Sequence, residues 1–395
     1  MKTLWPFAAN VLFFACAAVA LTFLVLYYQM LGFSGPQVGV LIGLAPLVTL
    51  VAAPLWTNLA DVTGRHRLVV SLIIVVAALC LAALPLLRSF WPVLAVSMLL
   101  AACFLPITAF IDSATMFMLP GQPEMYGRVR LGGTLGYGVA GYLAGLLIQR
   151  YGLAAGLWTG AAILLLTLVT AQFLDFGPPR RAEAPPGSLR TLLADRAWLP
   201  FMVLAFAGGL ATLISTNYLF AYMKDLGAPE SSMGLALTVG TLSEVPVLFF
   251  GNRLITRFKP YPLLVAAMLI SGARLLLFFF TTTAGGVLAV QLLSGLTFPL
   301  MWLAGVAYAH EHAPAGLAAT AQGLFGAMVY GIGSAVSGFA GGPLMERIGG
   351  PATYLVYGLA ILAIVLGVLL AQRLPKAAEK EKELIGLDHH PAARK

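Results

Sequence analysis

Long apolar runs dominate the hydrophobic pattern of this chain, and charged or helix-breaking residues separate them. A helix needs roughly 20 apolar residues to cross the hydrocarbon core of a bilayer. Twelve runs meet that requirement, so the pattern predicts an all-α membrane protein with twelve transmembrane helices. The expected spans are 5–31, 37–59, 68–87, 91–119, 126–149, 153–175, 197–221, 232–254, 261–283, 287–309, 317–345 and 351–373.

Composition agrees with the pattern of runs. Of the 395 residues, 60% are hydrophobic and 10% charged, whereas soluble domains usually carry about 25% charged residues. The first run follows Lys2 and includes the small-residue stretch ACAAVA, so a signal peptide is the alternative for it. The run stays apolar as far as Tyr27 and eleven further runs follow, which favours a retained first helix.

The Lys and Arg residues are distributed unevenly over the connections. With the N-terminus inside, eighteen of the 23 lie on the cytoplasmic side, four lie outside, and the remaining one is Arg274. Because cytoplasmic loops carry the excess of Lys and Arg, both termini are predicted to be cytoplasmic. This asymmetry and attraction to anionic inner-leaflet lipid account for the net charge of +8, so membrane lipid is an expected partner and nucleic acid is not.

Residue types that bind metals or form disulfides are sparse. Cys16, Cys80 and Cys103 fall inside predicted helices and are interpreted as small apolar packing residues. The tripeptides HEH at 310–312 and DHH at 388–390 supply too few ligands at a suitable spacing for a metal. No metal and no cofactor is therefore expected.

An internal repeat organises the chain. A shift of 195 residues aligns the connection after the first predicted helix with the connection after the seventh, and it places Leu31, Gly32 and Gly39 on Leu226, Gly227 and Gly234. A shift of 197 places Gly136, Gly141, Gly145, Arg150 and Gly152 on Gly333, Gly338, Gly342, Arg347 and Gly349. The prediction is two pseudo-two-fold-related six-helix bundles at 1–175 and 197–373, a cytoplasmic linker at 176–196 and a cytoplasmic tail at 374–395.

The connection between predicted helices two and three, LADVTGRHR at 59–67, resembles the signature of the major facilitator superfamily. Thr57 replaces the usual first glycine of that signature. The resemblance covers nearly the whole chain and implies the major facilitator fold, with Asp61, Gly64 and Arg65 in a gate that latches the cytoplasmic side. From the residues themselves, Asp61 could cap the third helix, Arg65 and Arg67 could hold phosphate headgroups, or the segment could only anchor the topology.

Four ionisable residues interrupt predicted helices: Asp112, Arg130, Glu244 and Arg274. A charge at the centre of a membrane helix costs at least about 2.5 to 3.5 kcal/mol, so such residues normally face a cavity and have partners. Counted from the cytoplasmic edge, Asp112 and Arg130 lie about 12 and 6 Å deep, and Glu244 and Arg274 about 15 and 20 Å. These depths predict two ion pairs, which either are structural or exchange partners with cargo and protons.

The segment MYGRVRLGGTLGYG at 125–138 resembles the fifth helix of the proton-coupled sugar, nucleoside and phenylpropionate permeases, the branch that contains lactose permease. Asp112 and Arg130 have the eighteen-residue spacing of that branch's carboxylate and sugar-binding arginine. Tyr137 stands where the branch has a tryptophan that stacks on the sugar ring. The resemblance implies a ring-shaped ligand bound by Asp112, Arg130 and Tyr137. From the buried charges, Glu244 with Arg274 as its counter-ion is predicted to couple proton to substrate, and Asp112 is the alternative proton carrier.

The tenth predicted helix departs from that branch. Ser294 and Thr297 stand where lactose permease has a histidine and a glutamate used in coupling. Neither side chain can carry a proton at physiological pH, which leaves an uncoupled facilitator or an exchanger open beside symport. The two hydroxyls are predicted either to donate to substrate or to bond to their own helix backbone.

Other polar residues of predicted helices one, seven and eleven are candidates to complete a cavity: Asn10, Tyr27, Asn217, Tyr218 and Gln322. The two tyrosines could instead belong to interfacial belts. Gly136, Gly138, Gly141 and Gly145 are expected to let helices approach closely, as are Gly333, Ser337, Gly338 and Gly341 of the second half.

These patterns predict a monomeric, multi-pass transporter of the plasma membrane, or of the inner membrane in a Gram-negative cell. It would move a small ring-containing polar solute such as a sugar, a nucleoside or an aromatic acid by alternating access, with proton-coupled symport as the leading mode. Efflux antiport of amphipathic compounds and uncoupled facilitation are the alternatives within transport. An enzyme is not expected, because no nucleophile and base cluster, and a membrane sensor is the alternative from another class.

Overall fold

The computed structural model describes residues 3–119, 123–177, 198–314 and 317–384, which are almost entirely helical. Ten stretches are long and apolar enough to cross a membrane, and a bent pair of helices adds an eleventh. The last stretch, Ala318–Arg373, is interrupted at Gly349 and contains two crossings. The prediction of twelve spans is therefore confirmed within the described residues.

The helices are named in chain order. They are α1 (Leu4–Met30), α2 (Gly35–Thr63), α3 (His66–Leu86), α4 (Phe90–Met118), α5 (Pro123–Tyr151), α6 (Leu153–Ala171), α7 (Trp198–Asn217 and Leu219–Asp225), α8 (Glu230–Phe258), α9 (Pro260–Phe280), α10 (Ala284–Gln291 and Phe298–Glu311), α11 (318–348) and α12 (350–384). The predicted linker, 176–196, lies largely outside the described residues, and so does 385–395 of the predicted tail. The backbone of α12 is helical as far as Leu384, eleven residues beyond the predicted end.

The internal repeat is visible in the backbone. Gly32 and Gly227, which the shift of 195 aligns, have φ values of 80° and 73°. Gly152 and Gly349, which the shift of 197 aligns, have φ values of 84° and 77°. Positive φ is accessible to glycine without steric cost, so the same residue type ends the same helix in each half.

Several helices depart from regular α geometry at mid-depth. α1 contains a π-helical turn at Ala17–Leu21, and α11 contains one at Ala327–Gly333. α10 is bent by 42° at the break between Gln291 and Ser294, and a short 3-10 turn at Ser294–Leu296 opens its second part. Such turns change which residues of a helix share a face, and they occur frequently at functional sites.

The bundle has two chemically different ends. The odd-numbered helices begin, and the even-numbered helices finish, at an end that we call the basic end. Its described positive residues include Arg65, Arg67, Arg128, Arg253, Arg257 and Lys259. The opposite end, called the far end, has Arg88, Arg150, Lys224 and Arg347.

The two halves contact each other along a seam between α2 and α11. Gly39 and Gly43 of α2 lie against Gly338 and Phe339 of α11, in the far-end part of both helices. A methyl group placed on Gly338 would lie 2.5 Å from the Cα of Gly43, so the two backbones are in direct contact. The prediction that small residues allow close approach is confirmed here.

A second seam joins α5 to α8. The hydroxyl of Thr238 in α8 donates a hydrogen bond to the carbonyl of Gly138 in α5 at 2.7 Å. Nearer the far end, Gly141 of α5 lies against Leu237 and Gly234 of α8. Both seams therefore close the molecule at the far end.

The basic-end segments of α4 and α11 pack within their own halves. Pro106–Met118 of α4 packs on helices of the first half, and Ala318–Gly326 of α11 packs on α10. Because the seams lie toward the far end, the space between the halves is open toward the basic end.

Candidate functional site

An ion pair between Asp112 of α4 and Arg130 of α5 lies in the space between the halves. An Nη1 of Arg130 is 3.2 Å from Oδ1 of Asp112, and the two side chains expose 41% and 28% of their surface respectively. α4 restarts at Pro106 after a break at Leu105, which places Asp112 two turns into the basic-end segment. The predicted pairing is therefore confirmed, and the pair is accessible rather than sealed in a core.

Neighbouring groups fix the orientation of this pair. Arg130 also donates to the amide oxygen of Asn10 at 3.5 Å, and its guanidinium lies 4.9 Å from the centre of the Phe14 ring. Tyr126 lies one turn before Arg130 on α5, on the same side of the helix. Sequence reasoning singled out Asn10 but missed Phe14 and Tyr126, although the spacing of Tyr126 from Arg130 places both on one helix face.

The second predicted ion pair, between Glu244 and Arg274, is wrong in this conformation. Arg274 of α9 is 5% exposed and donates instead to the side-chain oxygen of Gln291 and, at 3.3 Å, to the hydroxyl of Thr297. The Nε atom of Arg274 has no hydrogen-bond partner. Gln291 is itself held by a 3.1 Å hydrogen bond from its amide nitrogen to the carbonyl of Ala236 in α8.

Glu244 of α8 binds a hydroxyl rather than a guanidinium. The hydroxyl of Ser294 donates to its Oε1 at 3.4 Å. Ser294 begins the short turn between the two parts of α10, and the amide of Gly295 in the same turn donates to Ser243 at 3.0 Å. The break in α10 therefore brings Ser294 to the carboxylate.

The two halves approach each other beside several of these residues. Gly138, the residue after Tyr137 on α5, lies against Thr241 of α8, one turn before Glu244. Gly331, the residue after Tyr330 on α11, lies against Leu50 of α2. Tyr330 was not singled out from the sequence.

The other predicted site residues divide into two groups. Tyr218 is 1% exposed and donates to the carbonyl of Gly338 at 2.9 Å, so it packs α7 on α11 and is closed to a ligand in this conformation. Tyr27 is equally buried and donates to the carbonyl of Leu84. Asn217 and Gln322 are partly exposed, and their predicted contact with substrate stays a prediction.

The two hydroxyls of α10 serve the buried charges. Thr297 donates to the carbonyl of Ser294 at 2.7 Å, as the backbone-bonding alternative predicted, and it accepts from Arg274. Ser294 is 9% exposed and donates to Glu244. Their predicted contact with substrate stays a prediction.

The predicted gate lies in the connection from α2 to α3. Oδ1 of Asp61 is 2.8 Å from Nε2 of His66, so the carboxylate contacts a side chain and does not cap the backbone of α3. Gly64 ends α2 with a φ of 66°. Arg67 donates to the carbonyl of Leu174, just beyond α6, at 3.0 Å, and its predicted contact with a lipid headgroup stays a prediction. Arg65 is exposed, and the latching role of this segment stays a prediction.

Two six-helix halves with charged groups between them define a transporter of the major facilitator type, not an enzyme. The chain belongs to the MFS_1 like family, whose model matches residues 8–356. It is 30% identical over 386 residues to the maltose permease of Geobacillus stearothermophilus, a match that covers 96% of this chain and 97% of that protein.

Two more distant similarities bear on the fold and the family. The crystal structure of nucleoside transporter NupG matches with a TM-score of 0.77, covering 93% of this chain and 98% of that chain at 17% identity. This likeness confirms the predicted fold. The multidrug resistance protein MdtG of Yersinia enterocolitica is 26% identical over 251 residues, which cover 59% of this chain and 58% of that protein.

Proposed function

We propose that this transporter moves a small ring-containing polar solute, foremost a sugar, across the plasma membrane by alternating access and proton symport. The observation that carries the proposal is the Asp112–Arg130 pair, whose side chains are 28% and 41% exposed between the halves. Partial exposure leaves both charges free to exchange partners with a solute. An ion pair kept only for stability would instead be shielded from the space between the halves. The 30% identity to a maltose permease over 96% of the chain supports a sugar.

The first half supplies the polar contacts of the binding site. The guanidinium of Arg130 has five N–H donors, and Asp112 accepts hydrogen bonds, so the pair can bind adjacent hydroxyls of a sugar in complementary ways. Asn10 accepts a hydrogen bond from Arg130, and the Phe14 ring lies beside the guanidinium. Tyr137 offers an aromatic face, which can stack on the apolar face of a ring.

Transport would proceed by rocking of the two halves about this site. The far end is closed by the α2–α11 and α5–α8 seams, where glycine backbones are in contact, and the basic end is open. Solute would therefore exchange with the basic-end side in this conformation. The excess of Lys and Arg at that end supports a cytoplasmic location for it and for both chain termini.

Coupling to protons would use Glu244, with Arg274 as the nearby positive charge. In this conformation the hydroxyl of Ser294 donates to Glu244, while Arg274 donates to Gln291 and Thr297. A carboxylate whose arginine is engaged elsewhere accepts a proton more readily than one in a direct ion pair. Approach of Arg274 to Glu244 in another conformation would favour release of that proton.

The experiment is maltose transport by purified protein in proteoliposomes, with an acidic outer medium. The wild type is expected to accumulate maltose against its gradient. Glu244→Gln is expected to lose accumulation but to keep exchange of internal for external maltose, because the neutral side chain can bind Ser294 but cannot carry a proton. Glu311→Gln, an exposed position at the basic end of α10, is the control and should accumulate normally.

Two outcomes contradict the proposal. Accumulation by Glu244→Gln at the wild-type level removes the coupling role. Failure of the wild type to bind or exchange maltose, uridine and an aromatic acid removes the proposed substrate class.

Efflux of amphipathic compounds is the second candidate. Large apolar side chains are exposed near the basic end, among them Met116 at 65% and Phe249 at 80%, and the similarity to MdtG supports the same function. A polyspecific apolar cavity should tolerate loss of one aromatic ring. Retention of drug-stimulated proton flux by Tyr137→Ala would favour efflux over ring-specific uptake.

A further inference from the structure

Tyr330 occupies an unusual position for a tyrosine in a membrane helix. It lies twelve residues from the start of α11, about 18 Å along the helix, and so is far from either interfacial belt. Nonetheless 46% of its surface is exposed. It sits within the π-helical turn Ala327–Gly333, which rotates this part of α11 relative to a regular helix.

The exposed surface of Tyr330 faces the space between the halves. The next residue of the same turn, Gly331, lies against the opposite half: a methyl group placed on it would be 3.1 Å from the side chain of Leu50 in α2. This turn of α11 therefore borders the space between the halves. The ring is therefore accessible from the same cleft as the Asp112–Arg130 pair.

Other aromatic rings hold Tyr330 in place. Its ring centre is 5.1 Å from that of Trp302 and 6.1 Å from that of Phe298, both on α10. Trp302 in turn lies 5.3 Å from Phe325, which is fully buried and packs over Gly305. The tyrosine is thus the most exposed member of an aromatic wall that also includes the partly exposed Trp302 and Phe298, so a ligand need not order it on binding.

We propose that Tyr330, supported by Trp302 and Phe298, is the ring-stacking surface of the second half and selects solutes with a sugar ring. The inference rests on the proposed sugar transport and deepens it. A pyranose has an apolar face and a rim of hydroxyls. Its face would lie on Tyr330, while its hydroxyls would face Arg130 and Asp112 across the cleft, so the two halves would hold different surfaces of one ring.

Binding of maltose to purified full-length protein in nanodiscs, measured by calorimetry, tests the assignment. Tyr330→Leu is expected to weaken binding about five- to tenfold, since it removes the flat ring. Tyr330→Phe keeps the ring and is expected to stay within about twofold of the wild type. Tyr142→Leu is the matched control, because Tyr142 is 40% exposed but lies twelve residues beyond Arg130 on α5. Wild-type affinity in Tyr330→Leu would overturn the proposal.

A second measurement is independent of ligand affinity. The three native cysteines, Cys16, Cys80 and Cys103, are buried, so a membrane-impermeant maleimide should label Tyr330→Cys above a low background. Saturating maltose should slow that labelling. Absence of labelling would show that position 330 does not face the cleft and would overturn the proposal.

The two measurements separate failure of this inference from failure of the proposed function. If the wild type binds maltose and Tyr330→Leu binds it equally well, only the stacking role is wrong. If the wild type binds neither maltose nor uridine while Tyr330→Cys is still labelled, the substrate class is wrong and the assignment of Tyr330 falls with it.

Discussion

Arg274 donates to the side-chain oxygen of Gln291, although Glu244 is the carboxylate that depth along the helices places beside it. The guanidinium is 5% exposed, and its described hydrogen-bond partners are the neutral side chains Gln291 and Thr297. A buried positive charge is costly when its partners are neutral. The hydrogen bond that Arg274 donates to Gln291 is therefore expected to contribute more to stability than an ordinary interhelical hydrogen bond.

Gln291→Leu is expected to lower the free energy of unfolding by about 1.5 to 3 kcal/mol, the range for hydrogen bonds to charged groups. Thermal unfolding of the purified protein measures the change. Gln372→Leu is the matched control, because that amide donates at 2.6 Å to the uncharged hydroxyl of Tyr261 at a partly exposed site. Equal losses in the two variants would show that the charge of Arg274 adds nothing.

Asp112 and Arg130 are expected to act as a unit in binding. Asp112→Asn and Arg130→Gln should each weaken maltose binding at least about tenfold, because each leaves the partner charge without its ion pair. Their effects should fall short of additivity in the double variant by about 0.5 to 3 kcal/mol. Asp112→Asn combined with Lys224→Gln at the far end should be additive, and calorimetry distinguishes the two patterns.

Gly338→Leu is expected to open the far end. The added side chain would meet the backbone of Gly43, whose Cα would be 2.5 Å from the new Cβ. In a Tyr330→Cys background, labelling from the far-end medium should therefore increase severalfold. Gly323→Leu is the control on the same helix, since no heavy atom lies within 4 Å of its added Cβ. Unchanged labelling in Gly338→Leu would contradict the role of this seam in closure.

The backbone conformation of Lys259 is expected to lower the free energy of unfolding of the protein. Its φ of 64° and ψ of 153° lie in a region that glycine adopts far more readily than residues with a side chain. Lys259→Gly should raise the free energy of unfolding by about 1 kcal/mol, allowing for the greater freedom of glycine in the unfolded chain. Lys259→Ala removes the same charge but keeps a side chain at a residue with positive φ. This variant should therefore not have a higher free energy of unfolding than the wild type. Thermal unfolding of both variants provides the comparison.

The sequence predicts the helices and the first ion pair well because both depend on distance along the chain. Twelve apolar runs correspond to twelve helices, and the eighteen-residue spacing of Asp112 and Arg130 brings them to similar depth across a short connection. Aligned glycines predict the repeat because the residue type at a single position decides whether a positive φ is accessible there. In each case the local sequence pattern and the tertiary structure favour the same residue type at the same position.

Prediction of side-chain contacts from the sequence fails where the rotation of a helix about its axis decides which residues meet. Depth alone pairs Glu244 with Arg274, but the turn at Ser294–Leu296 brings Ser294 to the carboxylate and leaves Gln291 for the guanidinium. The π-helical turn of α11 similarly turns Tyr330 toward the cleft. An irregular turn changes the helix face of every residue beyond it, and hydrophobic periodicity does not reveal where such a turn occurs.

The far-end seams have a consequence for the energetics of rocking. Where glycine backbones meet directly, few side chains must change rotamer when the surfaces part, and little side-chain entropy is gained or lost. Separating the halves at these seams should therefore change the free energy of the protein little, and the solute bound between the halves would decide which conformation is favoured. The solute would then control the rate of the transport cycle.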